Sequence, residues 1–343
     1  MMEKILVLTH VDESGAALTK ASLEVVTAGI ELAARLQSPL TIGILGQDAD
    51  AAAQVLAGMG ARLLAVSGEA FAQARYASDA AACEALCRAA EASIVLGPES
   101  ARLGRVAAGV AHRLGGLLDT HVTGIGGDGA VEATRWFYRQ RMEAVLSREA
   151  RPWFLLLDAG THAAFAGEAG AVQVEQVAVT LPALRTVVEG FRAPERDAQT
   201  IRPDAKLLFV AGAGWTKKQP DGQMHVSDAA ERIKDFLRLT GASLGSSKSL
   251  VDQTGDNQQV LPFLTHMNQI GQTGSTPRHA KGLSTCCHGE EPHVVGWRFI
   301  GERRAISLDA NCGWARGKAD VVYVADAFQV MSKVNALLAE KRG

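Results

Sequence analysis

The polar turn Asn268-Gln-Ile-Gly-Gln-Thr-Gly-Ser-Thr-Pro-Arg-His279 brings Gly271, Gln272, Thr273 and Gly274 together. Two glycines bracketing an amide and a hydroxyl let backbone N–H groups approach a ligand that larger side chains would hold off. A second polar run, Gly241-Ala-Ser-Leu-Gly245-Ser-Ser-Lys248-Ser249, has the glycines of a phosphate loop, but Ser246 and Ser247 interrupt its Gly-Lys-Ser ending. What remains offers hydroxyls, backbone donors and one cation, a set suited to holding a diphosphate without chemistry on it. Gly212-Ala-Gly214 comes after an apolar run, as a dinucleotide motif would, yet Lys217 occupies the third glycine position.

The run Cys286-Cys287-His288-Gly289-Glu290-Glu291-Pro292-His293 has metal-ligand residue types, with Cys312 and His279 as possible additions. Adjacent cysteines rarely turn both thiolates onto one zinc, because structural sites leave two or more residues between them. The expectation is therefore no metal, with a strand end and its polar mouth explaining the run as well as a cofactor does. Cys83 and Cys87 lie four apart in an Ala-rich helical stretch and read as small buried thiols. Five cysteines in 343 residues make no disulfide framework. No Ser/His/Asp or Cys/His spacing points to a nucleophile.

These segments need elements to position them. Residues 1–125 alternate apolar runs (K-I-L-V-L-T-H, L-T-I-G-I-L, R-L-L-A-V, S-I-V-L-G-P) with helical patterns near 18–36, 49–58 and 77–92. That texture predicts a parallel sheet covered on both faces. From Gly124-Ile-Gly-Gly-Asp-Gly129, a hairpin turn, the pattern predicts an antiparallel extension to about residue 185. Residues 191–205 carry two prolines, many charges and no periodicity, and mark a linker between domains at 1–190 and 206–343. In the second domain, strands are predicted at K-L-L-F-V-A, R-A-I-S-L-D and V-V-Y-V-A-D, with helices at Asp228–Thr240 and Ala327–Lys341. A ligand would lie at the carboxyl ends of those strands.

A 47% hydrophobic chain of this length fills two cores. Its net charge of −2 lacks the positive excess that nucleic acid or an anionic membrane surface demands. The amino-terminal apolar stretch is too short for a signal segment and no later run reaches a spanning length, so a cytoplasmic protein without direct membrane insertion is expected.

With these residues laid out, the chain resembles the alpha subunit of electron transfer flavoproteins over nearly its whole length. That family's patterns S-R-A-A-V-D, G-Q-T-G, G-I-S-G-A-I-Q-H, A-I-N-x-D-P and V-A-D-L-F match five segments here. They are Ser247-Lys-Ser-Leu-Val-Asp252, Gly271-Gln-Thr-Gly274, Cys286 to His293, Ala305-Ile-Ser-Leu-Asp-Ala310 and Val324-Ala-Asp-Ala-Phe328. From Gly271 to Asp309 the patterns align without a gap. The helix at 97–115 adds weaker likeness. The resemblance implies two doubly wound, three-layer α/β domains: an N-terminal nucleotide-hydrolase-like parallel sheet with an antiparallel extension, and a C-terminal FAD-binding, Rossmann-like domain.

It also implies a heterodimer with a beta subunit, an electron-donating dehydrogenase, a membrane-linked acceptor, and an electron carrier rather than a substrate-converting enzyme. The FAD-binding set it implies is Ser247, Lys248, Ile270, Gly271, Gln272, Thr273, Gly274, His288, Gly289, Pro292, His293, Ser307, Asp309, Asp326 and Ala327. In that set Thr273 approaches the flavin ring near N5, His293 lies near O2, where a donor stabilises charge gained on reduction, and Asp326 with Ala327 meets the adenosine end.

The departures are specific. Lys248 stands for the family's arginine and lacks its planar fork. His288 replaces a serine, Pro292 a glutamine and Ser307 an asparagine. Glu290 and Glu291 replace two apolar residues beside the expected diphosphate, and Ala211-Gly-Ala-Gly-Trp215 lacks the arginine of the family's S-G-G-R-G. The segment between Asp252 and Gly271 is longer than the family's. A flavin-free structural subunit of an oxidoreductase complex is the alternative these changes leave open.

Overall fold

The computed structural model describes residues 2–127, 129–137, 142–190, 201–202, 205–252, 260–271, 278–285, 297, 300–312, 315–316 and 319–341. The chain divides into two compact units, Met1–Gly190 and Phe191–Gly343, and each is α/β.

In the first unit, β1 (Ile5–His10), β2 (Leu40–Gly46), β3 (Arg62–Ser67) and β4 (Ile94–Pro98) run parallel. They alternate with α1 (Lys20–Leu36), α2 (Ala49–Ala53), α3 (Tyr76–Ala89) and α4 (Ala101–Arg113). The sheet continues through β5 (Leu117–Gly126), β6 (Glu132–Phe137), β7 (Met142–Ser147), β8 (Trp153–Leu157) and the two-residue β9 (Glu175–Gln176). Its order is β7-β6-β5-β8-β4-β1-β2-β3-β9.

Side-chain alternation explains why these strands are almost wholly apolar. Ile5 and Val7 of β1 enter the core under α1 and α2, whereas Leu6 and Leu8 enter the core under α3 and α4. A strand buried on both faces admits a polar residue only where a hydrogen-bond partner meets it, as Thr9 donates to Gly43 O (3.0 Å) at the end of β1. Cys83 and Cys87 belong to the second of these cores, and burial pushes the Cys83 thiol up to about 12.

The structure corrects one expectation. The run R-P-W-F-L-L-L-D is not part of an antiparallel extension, because β8 inserts parallel between β4 and β5 with all five residues buried. Among the described strands, antiparallel pairing is confined to β5 with β6 and β6 with β7. An unbroken apolar pentamer is the mark of a strand covered on both sides, which an outlying hairpin is not. The turn itself starts at Gly127, since Gly124 to Gly126 still pair with β6.

Asp119 ties that hairpin to the parallel strands. Its buried carboxylate accepts hydrogen bonds from Arg135 Nη1 (3.0 Å), Arg148 Nε (3.0 Å) and Trp153 Nε1 (3.0 Å). Burial pushes its carboxyl pKa up, but the hydrogen bonds from Arg148 and Trp153 and the Arg148 charge outweigh this, and the net shift is downward. A carboxyl held below its unfolded value stabilises the fold above roughly pH 4 and loses that contribution as pH falls through the folded value. Chemical denaturation of the full chain at pH 7 and pH 3 should therefore show an acid-sensitive loss of stability that is smaller in Asp119→Asn than in wild type.

In the second unit, β10 (Leu207–Ala211), β11 (Ser243–Ser246), β12 (Lys281–Thr285), β13 (Glu302–Ser307) and β14 (Val321–Val324) are all parallel, in the order β11-β10-β12-β13-β14. One face packs against α5 (Val226–Thr240), the short α6 (Lys248–Asp252) and α7 (Ala327–Glu340). The other face carries Leu208, Val210, Ile270, Trp297 and Ile300. β11 and β12 are Gly- and Ser-rich and were not expected as strands. Gly282 explains one of them: a Cβ there would lie 2.7 Å from the Trp297 ring, so the strand gives up a side chain to seat a fully buried indole.

Candidate functional site

The strand order of the second unit places a switch point at β10, whose neighbours β11 and β12 lie on opposite sides of it. In open α/β sheets, ligands bind outside the carboxyl ends of the strands at such a point. The segments leaving those strand ends therefore decide what the unit can hold.

After β10, residues 213–216 form a tight turn, and Gly212 N donates to Thr285 O (2.8 Å). Trp215 is fully buried, donates from Nε1 to Thr285 Oγ1 (2.8 Å) and packs on Phe328 with ring centroids 4.6 Å apart.

After β11, Ser247 is buried, its amide donating to Ala211 O (2.9 Å) and its Oγ accepting from Leu250 N (3.3 Å). Lys248 opens α6 and its ammonium pairs with Asp252, so the cation is already offset by a carboxylate. His266 Nδ1 lies 3.8 Å from the same carboxylate. The Ser246 hydroxyl, fully buried at the end of β11, has no hydrogen-bond partner among the described residues.

Ile270 N donates to Ser246 O (3.1 Å), and its side chain belongs to the core rather than to a ligand surface. Gly271 comes next with φ +124°, a conformation that favours glycine. Gln272, Thr273 and Gly274 lie outside the described residues, as do His288, Gly289, Pro292 and His293 beyond β12. Of the additional metal ligands considered, Cys312 is buried in the core, and His279 Nε2 contacts Arg202 O (2.8 Å) at the amino edge of the sheet. Thr285, after which the cysteine pair begins, ends β12 at the opposite edge.

At the far side, β13 and β14 deliver three expected residues to one cavity of about 240 Å³. Ser307, Asp326 and Ala327 line it with Gly214, Lys218 and Phe328. Asp326 caps α7, its Oδ1 accepting from Gln329 N (3.1 Å). A carboxylate already holding the helix terminus disfavours phosphate and favours a hydroxyl or amino group as ligand. Asp309 is exposed, and its Oδ1 accepts from Asn311 N (2.8 Å). Lys218 and the neighbouring Gln219 were not anticipated. Their loop carries no motif and is placed by contacts such as Gln219 Nε2 to Gly214 O (3.1 Å).

Ser247 and Lys248 therefore stand at one end of the carboxyl edge and Asp326 at the other. Four strand spacings separate them, about 19 Å, a span for an elongated ligand rather than a compact one.

A family model described as the electron transfer flavoprotein domain matches residues 7–182, just over half of the chain. The chain belongs to the electron transfer flavoprotein family. No curated protein matches it. The match falls on the first unit of this electron transfer flavoprotein family member, whereas Ser247, Lys248, Ser307 and Asp326 lie in the second. Among the described residues, no helix is long and apolar enough to cross a membrane.

The first unit has its own switch point, between β1 and β4. His10 occupies it, buried, with Nδ1 donating to Val11 O (2.9 Å) and Nε2 accepting from Ser100 Oγ (2.9 Å). Burial lowers the His10 pKa and keeps the ring neutral. Ser100 also caps α4 through Leu103 N (3.2 Å). There the chain's own groups satisfy one another, whereas the Ser246 hydroxyl of the second unit has no partner among the described residues.

Proposed function

We propose that this family member is the alpha subunit, that its second unit binds FAD, and that it carries electrons from a dehydrogenase to a membrane-linked acceptor as a heterodimer with a beta subunit. One observation carries the reading. Residues implied separately by the resemblance (Ser247, Lys248, Ser307, Asp326 and Ala327) fall along a single carboxyl edge of a parallel sheet, with a cavity at one end. That is the arrangement a dinucleotide requires.

Bound flavin would supply one- and two-electron transfer. The chain's own residues hold and tune it. The Ser246 hydroxyl has a hydrogen bond to give at the β11 end. Lys248 brings a cation whose influence Asp252 moderates. Ser307 and Asp326 offer acceptors to the adenosine end, and buried Ala327 leaves room for it. The acidic Asp326 cap points to ribose hydroxyls as its partner. Thr273 and His293 complete the proposal at the ring.

Co-expression with the beta subunit tests it: the complex should be yellow with a flavin absorption spectrum, and a folded, colourless heterodimer that takes up no added FAD would overturn it. Asp326→Asn keeps a good helix cap but removes the charged acceptor. FAD affinity should fall about ten- to a hundredfold, as for the loss of a hydrogen bond to a charged group. Flavin fluorescence titration measures this, and unchanged affinity would move the adenosine end elsewhere.

A further inference from the structure

The first unit carries a cluster that the electron-carrier reading does not use. Glu99 directly follows β4, Asp158 directly follows β8, and His121 sits where β5 shifts register against β8. These are three adjacent strands at the carboxyl edge of the sheet. One ligand atom from each residue lies within 4.8 Å of the other two. The backbone fixes their places, with Glu99 N donating to Leu157 O (2.8 Å) and Asp158 N to Val122 O (2.9 Å). His121 N donates to Glu99 Oε2 (3.1 Å).

We propose that Glu99, His121 and Asp158 bind a divalent transition-metal ion. His121 Nδ1 and Asp158 Oδ1 are 3.2 Å apart. Adjacent ligands on an ion with bonds near 2.1 Å stand about 3 Å apart, so the pair is spaced as neighbouring ligands are. Charge points the same way. Glu99 makes no ion pair with lysine or arginine among the described residues, and Asp158 is nine-tenths buried. One nitrogen and two carboxylate oxygens suit Mn²⁺, Co²⁺ or Zn²⁺ better than the all-oxygen preference of Mg²⁺ or the thiolate preference of Cu⁺. The His121 side chain is 55% exposed, so the ion would keep coordination positions for water or a phosphate oxygen.

The full chain, stripped with chelator, is titrated with Co²⁺ and followed by visible absorption and equilibrium dialysis. One ion per chain is expected, with affinity falling about tenfold or more in Glu99→Gln and in His121→Asn, the asparagine chosen because it tolerates the positive φ of 56° at that position. Absence of stoichiometric binding overturns the site. Binding unchanged in both variants overturns it too, because the ion then sits on other ligands, such as the Cys286 to His293 run. Should either variant unfold, Mn²⁺ added to wild type decides: selective broadening of the His121 imidazole signals supports the site, and unbroadened signals sink it.

Discussion

Trp215→Ala should destabilise the second unit by about 3–5 kcal/mol, the usual cost of removing a fully buried indole. The side chain is 0% exposed, joins β12 to α7 through Thr285 and Phe328, and stands directly behind the carboxyl ends of β10 and β12. Its loss opens a void behind the cavity that Gly214 and Phe328 line. Two readouts should move together: the urea midpoint of the second unit falls, and FAD retention of the complex falls with it. Trp215→Phe separates packing from hydrogen bonding. It keeps most of the contact with Phe328 but withdraws the donor to Thr285, which costs about 1 kcal/mol. A Trp215→Ala chain as stable as wild type would mean that the turn after β10 is not the support described.

Asp79→Asn should cost the first unit a similar amount, about 3–5 kcal/mol, because it strands a buried charge. Arg102 on α4 donates to both oxygens of Asp79 on α3, at 2.9 and 2.8 Å, and to Phe71 O at 2.7 Å. The two side chains are 8% and 1% exposed. Replacing both partners, as in Asp79→Asn with Arg102→Met, should recover part of the loss, since an apolar pair leaves no uncompensated ion. Guanidinium unfolding of the single and double variants measures the coupling. Equal stability of the single and double variants would place the cost in packing rather than in charge.

How far the fold was legible depended on what each strand had to bury. β1, β2, β3 and β4 announce themselves as apolar runs because both faces are covered. β8 was visible as a run but misassigned, since periodicity cannot say which neighbour an apolar pentamer will join. β11 and β12 were hidden because their cores are completed from elsewhere. Gly245 makes room for Ile270 and Gly282 for Trp297, so the apolar mass lies outside the strand itself. Among the site residues, Ser307, Asp326 and Ala327 could be named from their match to the family's A-I-N-x-D-P and V-A-D-L-F patterns, and they lie at or just beyond strand ends. Lys218 and Gln219 could not, as folding alone carries their loop to the cavity. The pairing of Lys248 with Asp252 is one helical turn of spacing and could have been read from the i, i+4 rule.

The seating of Trp297 on Gly282 also constrains how this protein can drift. An alanine at 282 needs a smaller ring at 297, and a smaller ring leaves a hollow that only a side chain at 282 can fill. Neither position is free to change first without loss, so substitutions there should be found in pairs across descendants, each tolerated only in the company of the other.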